Sequence, residues 1–336
     1  MTTPDDRFVA RLRNRAIRGA GNWLAPGGAG GRLGILIYHR VVPAVDPLYP
    51  DEVDRAGFDW QMALLARGFN VLRLDEAVDR LQVGTLPPRA ACVTFDDGYR
   101  DNHDVALPVL RKWNIPATFF IASGYLDGGC MWNDIIFESV RQASGPRLDL
   151  TGLGLGILRI ASTDERRRAA RALIAQLKYL APEQRDEQVN RIVGTIGARV
   201  PDDLMMRPDH LHALCDAGMD IGAHTVSHPI LARVSHAAAQ KEIADGRSTL
   251  ENIIARPVSL FAYPNGVPGT DYTAEHVQLV RDLGFKAAVS TAWGAATRTS
   301  ERFELPRFTP WDMTPARFAA RLLHNYLRVD PVVPGA

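Results

Sequence analysis

Residues 93–99, Val93-Thr94-Phe95-Asp96-Asp97-Gly98-Tyr99, end a short apolar segment with two adjacent carboxylates and a glycine. The apolar, β-prone residues from 90 to 95 predict a buried strand. Parallel α/β folds place their chemistry at the carboxyl ends of such strands, so we predict a functional role for Asp96 and Asp97. Adjacent residues on a strand point in different directions, and the two carboxylates therefore need not do the same work. By itself the motif also fits a helix cap or an Asx turn.

Composition is that of an ordinary globular chain of 336 residues with a formal net charge of +1, which gives no argument for a nucleic-acid partner. No apolar segment approaches the roughly 18–20 residues that a membrane span requires. The three cysteines, Cys92, Cys130 and Cys215, are odd in number and widely spaced. They favour buried thiols in a reducing compartment over a disulfide framework.

The first 31 residues are predicted to form a basic N-terminal helix or tail followed by a Gly-rich linker. Five arginines, at positions 7, 11, 13, 15 and 18, alternate with apolar residues, and no secretory signal is visible. A basic amphipathic helix can make weak contact with an anionic membrane surface, whereas a solvated helix or loose tail is the alternative. We therefore expect a cytoplasmic protein, located at the inner membrane surface if the helix binds lipid. Residues 328–336 are expected to form a C-terminal tail.

Strand-like segments alternate with helical ones through most of the chain. This alternation predicts a parallel sheet that is closed, or nearly closed, into a barrel over residues 32–327. Residues from about 128 to 208 interrupt this alternation of strands and helices and are expected to form a helical insertion. The predicted strands are Leu33–Tyr38, Phe69–Leu74, Ala90–Phe95, Ala117–Ile121, Met219–Ala223, Val258–Ala262 and Lys286–Ser290.

A second motif, Gly222-Ala223-His224-Thr225-Val226-Ser227-His228-Pro229, follows the strand predicted at 219–223. Two histidines four residues apart lie on one face of a helical turn and can hold one cation. With a carboxylate from another strand they would form a two-His, one-Asp set that leaves positions open for water and substrate. Such a set is typical of a catalytic metal site.

Together, residues 94–98 and 224–228 resemble the first two motifs of the polysaccharide deacetylases, the NodB-homology or carbohydrate esterase 4 superfamily. The resemblance implies a distorted (β/α)7 barrel that removes N-acetyl groups from amino-sugar polymers with a divalent metal, usually Zn²⁺. It implies that Asp96 is the general base and that Asp97, His224 and His228 are the metal ligands. An N-acetylated glycan would then be the substrate.

The general acid of this family usually lies in a Leu-x-His motif near the C-terminus of the domain. Here the similar sequence is Leu322-Leu323-His324, within an amphipathic helical segment where a surface histidine is expected. His39 is the better candidate, because Ile37-Tyr38-His39 resembles the N-terminal segment of the exopolysaccharide-associated branch, whose motif order is permuted. A strand-end histidine bonded to the backbone is the alternative reading of His39.

The third family motif, Arg-x-Pro-Tyr, is altered to Phe261-Ala262-Tyr263-Pro264, so its arginine is missing. We predict that Arg307 replaces it and orients Asp96 through a bidentate contact, although a surface arginine is an equal alternative. Tyr263 is expected to offer a backbone amide to the oxyanion. Trp132 and Trp293 are expected to line the walls of the substrate site, with core packing as the other possibility.

The resemblance and these residues together predict a metal-dependent hydrolase that releases acetate from amino sugars in a polysaccharide or its precursor. Two alternative functions are compatible with the same barrel fold. One is a metal-dependent amidohydrolase acting on a small N-acyl substrate. The other is a catalytically degenerate barrel that binds glycan without cleaving it, which the missing third-motif arginine favours.

Overall fold

A computed structural model of the chain describes residues 18–329, which fold around one parallel sheet. Its seven main strands follow one another in space as they do in sequence, and every neighbouring pair is parallel. They are β1 (Leu33–Tyr38), β2 (Ala90–Phe95), β3 (Ala117–Ile121), β4 (Asp220–Ala223), β5 (Leu260–Ala262), β6 (Ala287–Trp293) and β7 (Leu305–Arg307).

The last strand of this sheet returns to the first. The Ile37 amide donates to the Phe308 carbonyl at 3.0 Å, and the Phe308 amide donates to the Ile35 carbonyl at 2.7 Å. The sheet is thereby nearly closed, and the predicted (β/α)7 barrel is confirmed. All seven carboxyl ends meet at one rim, where Asp96 and Asp97 follow β2.

One member of the predicted strand set is wrong. Residues 69–74 contribute only the two-residue strand Asn70–Val71, which pairs with the start of β2 outside the barrel circuit. Leu74 already begins a helix, because Asp75 and Glu76 favour the positive end of a helix dipole. The seventh barrel strand is β7, whose three residues include a proline and carry no strand pattern of their own; pairing with β6 makes it a strand.

Helices surround the barrel and join its strands. Residues 18–24 are helical, and the other α-helices are Arg55–Gly68, Leu74–Val83, Leu107–Trp113, Trp132–Gln142, Thr163–Leu177, Pro182–Ile196, Pro208–Asp216, His236–Ile254, Ala274–Asp282 and Pro315–Asn325. A π-helical turn, Asn102–Ala106, follows the Asp96-Asp97 motif. Two-residue strands Val41–Val42 and Val53–Asp54 pair beside the end of β1.

The segment between β3 and β4 has a small apolar core of its own. Its three long helices enclose buried side chains of Ile136, Leu173 and Ile192, among others. The segment also contains an antiparallel hairpin, Arg147–Leu150 with Gly156–Arg159, which the sequence analysis did not predict. Each hairpin strand is only four residues long, too short for its alternation to stand out.

No helix within residues 18–329 is long and apolar enough to cross a membrane. The expected contact of the basic N-terminus with a membrane falls largely on residues 1–17, outside the described residues. Most of the C-terminal tail expected from residue 328 also lies outside them. The boundaries proposed at 31, 32 and 327 stay predictions.

Candidate metal and catalytic site

Asp96 and Asp97 lie side by side at the end of β2 but face different partners. The Asp96 amide donates to the Tyr38 carbonyl of β1 at 2.9 Å, which continues the ladder and holds the carboxylate at the rim. At Asp97 the chain turns into the left-handed region, with φ of 75°. For a residue other than glycine this conformation is strained, and such strain is found most often at functional sites. The turn sends the two carboxylates in different directions, as their adjacency predicted.

Arg307 holds Asp96 by a bidentate contact. Its Nη1 and Nη2 donate to the two Asp96 oxygens at 2.7 and 2.6 Å, and its Nε donates to the Ser290 carbonyl at 2.8 Å. Its side chain is fully buried. Burial opposes ionisation of Asp96, but the guanidinium outweighs it and keeps the pKa of that carboxyl below its usual range. Asp96 is therefore an oriented carboxylate at neutral pH.

The second motif brings both of its histidines to Asp97. His224 and His228 each place Nε2 3.4 Å from the same Asp97 oxygen. The three candidate ligand atoms lie within 4.8 Å of one another. His224 Nδ1 lies 2.7 Å from the Ala262 carbonyl, which can only accept, so Nδ1 carries the proton and Nε2 keeps its lone pair. Two imidazole nitrogens and a carboxylate oxygen fit a divalent cation in number and type.

The protonation states of this group suit cation binding. Burial lowers the pKa of His228 to about 4, so its ring is neutral at pH 7. Burial works against the charged form of Asp97, but attraction to His228 when that ring is protonated at low pH, and the hydrogen bond of His224, outweigh burial and lower the pKa of Asp97. Burial likewise works against imidazolium at His224, but Asp97 raises its pKa. A proton and a cation therefore compete for His224 Nε2.

Glu242, from the helix His236–Ile254, supports the histidine loop, and the sequence analysis missed it. Its carboxylate accepts from the Val226 and Ser227 amides at 2.9 and 2.8 Å and from the Ser227 hydroxyl at 2.8 Å. One helical turn later, a Cβ at Gly246 would lie 2.8 Å from the Thr225 backbone. The helix thus approaches the loop closely and fixes its conformation.

His39 follows β1 directly at the same rim. Its carbonyl accepts from Asn102 Nδ2 at 2.8 Å, while the residue itself is exposed. Its charge is near enough to help lower the pKa values of Asp96 and Asp97. Glu52, also missed by the sequence analysis, interacts with the His39 charge, and burial raises the pKa of Glu52. The structure therefore brings His39 to the site, accompanied by a carboxylate.

A cavity of about 170 Å³ opens at Asp97 and His228. Trp132 lines it, as predicted for a wall residue. Asn265, which also lines it, has a left-handed backbone with φ of 60° and was not predicted. Other lining residues come from the inserted segment: Met131, Asn133, Ile174, Lys178 and Arg185. The barrel and the insertion thus share one cavity.

Three other candidates do not line this cavity. The Tyr263 amide donates to the Val289 carbonyl at 3.3 Å and its hydroxyl donates to the Phe303 carbonyl at 3.0 Å, so neither group is free for an oxyanion. Trp293 lies in a separate pocket of about 230 Å³, 5.0 Å from Trp311 between ring centroids. His324 lines that same pocket and is exposed, as expected of a surface histidine.

A second group of potential metal ligands, His103, Asp104 and His210, lies on the outside of the barrel. Asp104 is already bonded to His103 Nδ1 at 2.8 Å and to Arg100 at 2.9 Å. His210 Nδ1 accepts from the Arg207 amide at 3.1 Å and caps a helix. These partners give the cluster an ordinary surface role.

Comparisons with known proteins identify the family of this chain. Residues 84–153 and 158–288 match the family model of polysaccharide deacetylases. YxkH of Bacillus subtilis, whose name describes a polysaccharide deacetylase, is 22% identical over 277 residues, which are 82% of this chain and 70% of that protein. The poly-β-1,6-N-acetyl-D-glucosamine N-deacetylase of Staphylococcus epidermidis is 32% identical over 76 residues, or 23% of this chain and 25% of that protein.

Solved structures show the same fold. The deacetylase PplD of Streptococcus pyogenes, in complex with acetate, superposes with a TM-score of 0.59 at 20% identity, covering 88% of this chain and 99% of that one. IcaB of Ammonifex degensii superposes with a TM-score of 0.54 at 19% identity, covering 90% of this chain and 98% of that one. At such identities the likeness establishes the architecture.

Proposed function

This chain belongs to the polysaccharide deacetylase family, and on that premise we propose that it hydrolyses the N-acetyl group of an amino sugar in a glycan or its precursor, releasing acetate. One observation carries the proposal. A buried carboxylate, Asp96, is held bidentately by Arg307 directly beside the three convergent ligands Asp97, His224 and His228. This pairs a base with a cation site at one barrel rim.

Asp96 is proposed as the general base. It is ionised, it is held in one orientation, and it is not one of the three grouped ligands, so it can accept a proton from the attacking water. Fixing the carboxylate with Arg307 costs basicity but removes the need to reorganise the group during the reaction. We assign Arg307 as the residue that positions this base.

Asp97, His224 and His228 are proposed to hold a divalent cation, for which Zn²⁺ suits the nitrogen-rich ligand set. When bound, such a cation polarises an amide carbonyl and lowers the pKa of the attacking water. The His224 Nδ1 contact with Ala262 sets the ring orientation that this role requires.

His39 is proposed as the general acid. An amine leaves an amide only if its nitrogen is protonated, and His39 lies at the same rim with a side chain open to solvent. Glu52 lies near enough to interact with the charge of His39. Trp132, on the cavity wall, is proposed to contact the sugar or its acetyl group.

For the substrate we propose an N-acetylated glycan. The Staphylococcus epidermidis relative is named for a β-1,6-linked N-acetylglucosamine polymer, which makes that linkage a first choice to test. Contact of the basic N-terminus with an anionic membrane surface, at the cytoplasmic face, stays part of the proposal. A nucleic-acid partner has no support in the net charge of +1.

The alternative of a degenerate glycan-binding barrel depended on the missing third-motif arginine. Arg307 stands in contact with Asp96, which counts against that alternative. Hydrolysis of a small N-acyl compound keeps the same residues and differs only in the substrate. Acetate release from oligomers and from a small amide separates glycan hydrolysis from hydrolysis of a small compound.

Acetate release should be measured from N-acetylglucosamine oligomers of β-1,4 and β-1,6 linkage and from a small N-acetylated amine, with Zn²⁺ present and then with a chelator. We expect chelator-sensitive release that Asp96→Asn lowers by about 10³-fold while the metal content stays at one per chain. Release from a small N-acyl amine but from no oligomer would favour the small-substrate alternative. Absence of release from every substrate by metal-loaded protein would contradict the proposal.

A further inference from the structure

The insertion side of the active-site cavity carries positive charge. Lys178 and Arg185, from two different segments of the insertion, line the same cavity as Asp97 and His228. Asp97 is the single carboxylate among the described residues that line it, and its proposed role is to hold a cation. The two insertion cations therefore face a cavity whose one carboxylate, among the described lining residues, is assigned to the metal site.

Arg185 is the more unusual of the two because it is buried. Only 7% of the residue is exposed, and its guanidinium lies 5.0 Å from the centre of the Trp132 ring. Its Nε donates to Asp186 at 3.1 Å, but the Asp186 side chain is 60% exposed and solvated. Within residues 18–329 its two Nη groups have no hydrogen-bond partner. Although the residue as a whole is buried, its Nη groups are accessible on the cavity wall, so they can donate to a ligand that enters the cavity.

Lys178 lies at the end of the helix Thr163–Leu177. Its Nζ is 5.5 Å from the centre of the Tyr179 ring, and no carboxylate among residues 18–329 forms an ion pair with it. Asp271 is near enough to interact with the charge of Lys178 but forms no ion pair with it, so Lys178 can still meet a charged group that enters the cavity. Together the two side chains offer a planar fork and a point charge.

We propose that Lys178 and Arg185 form a binding site for an anionic substituent of the substrate, located beside the N-acetyl sugar that reacts at Asp96. This inference rests on the proposed function and narrows its substrate to an acidic glycan or glycan precursor. A sugar carboxylate and a phosphate ester share the required chemistry, because each presents two or more oxygens to a guanidinium. The cavity is small for a ligand site, so the anion belongs to the reacting sugar or its neighbour.

The experiment measures binding by calorimetry, which needs no turnover. The probes are an N-acetylglucosamine tetramer, a tetrasaccharide of alternating N-acetylglucosamine and glucuronate, and an N-acetylglucosamine tetramer with one phosphate ester. They are titrated into wild type, Arg185→Gln, Lys178→Gln and a control, Arg191→Gln. Arg191 lies on the same helix as Arg185 but is exposed outside the cavity. Thermal unfolding checks that each variant is folded.

We expect at least one charged probe to bind wild type at least about tenfold more tightly than the neutral tetramer. Whichever charged probe binds more tightly than the neutral tetramer shows whether the site prefers a carboxylate or a phosphate. The advantage should shrink with added salt, disappear in Arg185→Gln or Lys178→Gln, and survive in Arg191→Gln. Equal binding of all probes to wild type, or an advantage that survives in both cavity variants, would overturn the inference. Charge-dependent binding without acetate release would instead support this site and contradict the proposed function.

Discussion

The barrel rim and the inserted segment face each other across one cavity, but they hold their polar side chains differently. At the rim, Asp96 is locked by Arg307 and His224 by the Ala262 carbonyl. On the insertion, Arg185 and Lys178 have few partners and stand on a segment with its own small core. The rim is preorganised for one reaction, whereas the insertion wall is free to meet a ligand. We expect rim substitutions to change the chemistry and insertion substitutions to change the choice of substrate.

The largest effect should follow from His228→Ala at the rim. Removing one of three ligands should abolish metal retention and lower turnover by about 10³-fold or more, since the cation stabilises the charge of the transition state by several kcal/mol. Metal content and acetate release are measured on the same preparation. His210→Ala, in the exterior cluster, is the control and should leave both unchanged. If His228→Ala keeps its metal, His228 is not a metal ligand and the assignment of the rim site is wrong.

Arg307→Met should be nearly as damaging, but to folding as well as to activity. It leaves the buried Asp96 carboxylate without its counter-charge, which costs about 3–5 kcal/mol of unfolding free energy. Urea unfolding measures the loss. The exposed pair Arg281–Glu301 provides a control, since Arg281→Met should cost under about 1 kcal/mol.

The pH dependence of Arg307→Met has a defined sign. Because the folded pKa of Asp96 is lowered, the pair stabilises wild type above the unfolded pKa of about 3.9, and this contribution is lost as pH falls through the folded value. The difference between wild type and variant should therefore shrink below about pH 4. A difference that is independent of pH would mean that packing, and not the ion pair, is lost.

His39→Gln should lower turnover by about 10²–10⁴-fold with metal content and stability retained, because general acid catalysis has that magnitude. His324→Gln, on the helix Pro315–Asn325, is the matched control and should be near wild type. Parallel loss of turnover and metal in His39→Gln would assign His39 a structural role.

The smallest effect concerns the junction between the two regions. Asp134 of the insertion is buried and accepts a hydrogen bond from Tyr99, next to the rim motif, at 2.8 Å. Burial raises its pKa to about 7, so the folded protein holds this proton more tightly than the unfolded chain. Its ionisation therefore costs stability as pH rises from about 4 to 7.

Asp134→Asn should remove that cost, stabilising the protein by about 1–2 kcal/mol at pH 8 and by little at pH 4. Denaturant unfolding across this pH range measures it, with the exposed Asp202→Asn as control. A variant that is equally destabilised at both pH values would show that the carboxylate contributes through its hydrogen bond and not through its charge.

The two motifs were enough to predict the family, which is confirmed, and the barrel. They could do so because a buried strand ending in polar residues is a local pattern, readable within about ten residues. The grouping of Asp97, His224 and His228 and the placement of Trp132 on the cavity wall agree with those predictions, while the roles of these residues stay proposals. Trp293 lines a separate pocket, and its role stays a prediction, since no local pattern says which way a strand-end tryptophan turns.

The sequence alone determined that Asp96-Asp97 and His224 follow barrel strands, because each motif adjoins its strand in the chain. Only the tertiary structure decided that β7 closes the barrel and that Arg307 makes the predicted contact with Asp96, 211 residues away, instead of lying on the surface. It likewise decided that Glu242 holds the histidine loop and that Arg185 is buried at the cavity. These contacts depend on the register of distant strands and on how an inserted segment packs. Both are set by the summed burial of many side chains and are written in no single stretch of sequence.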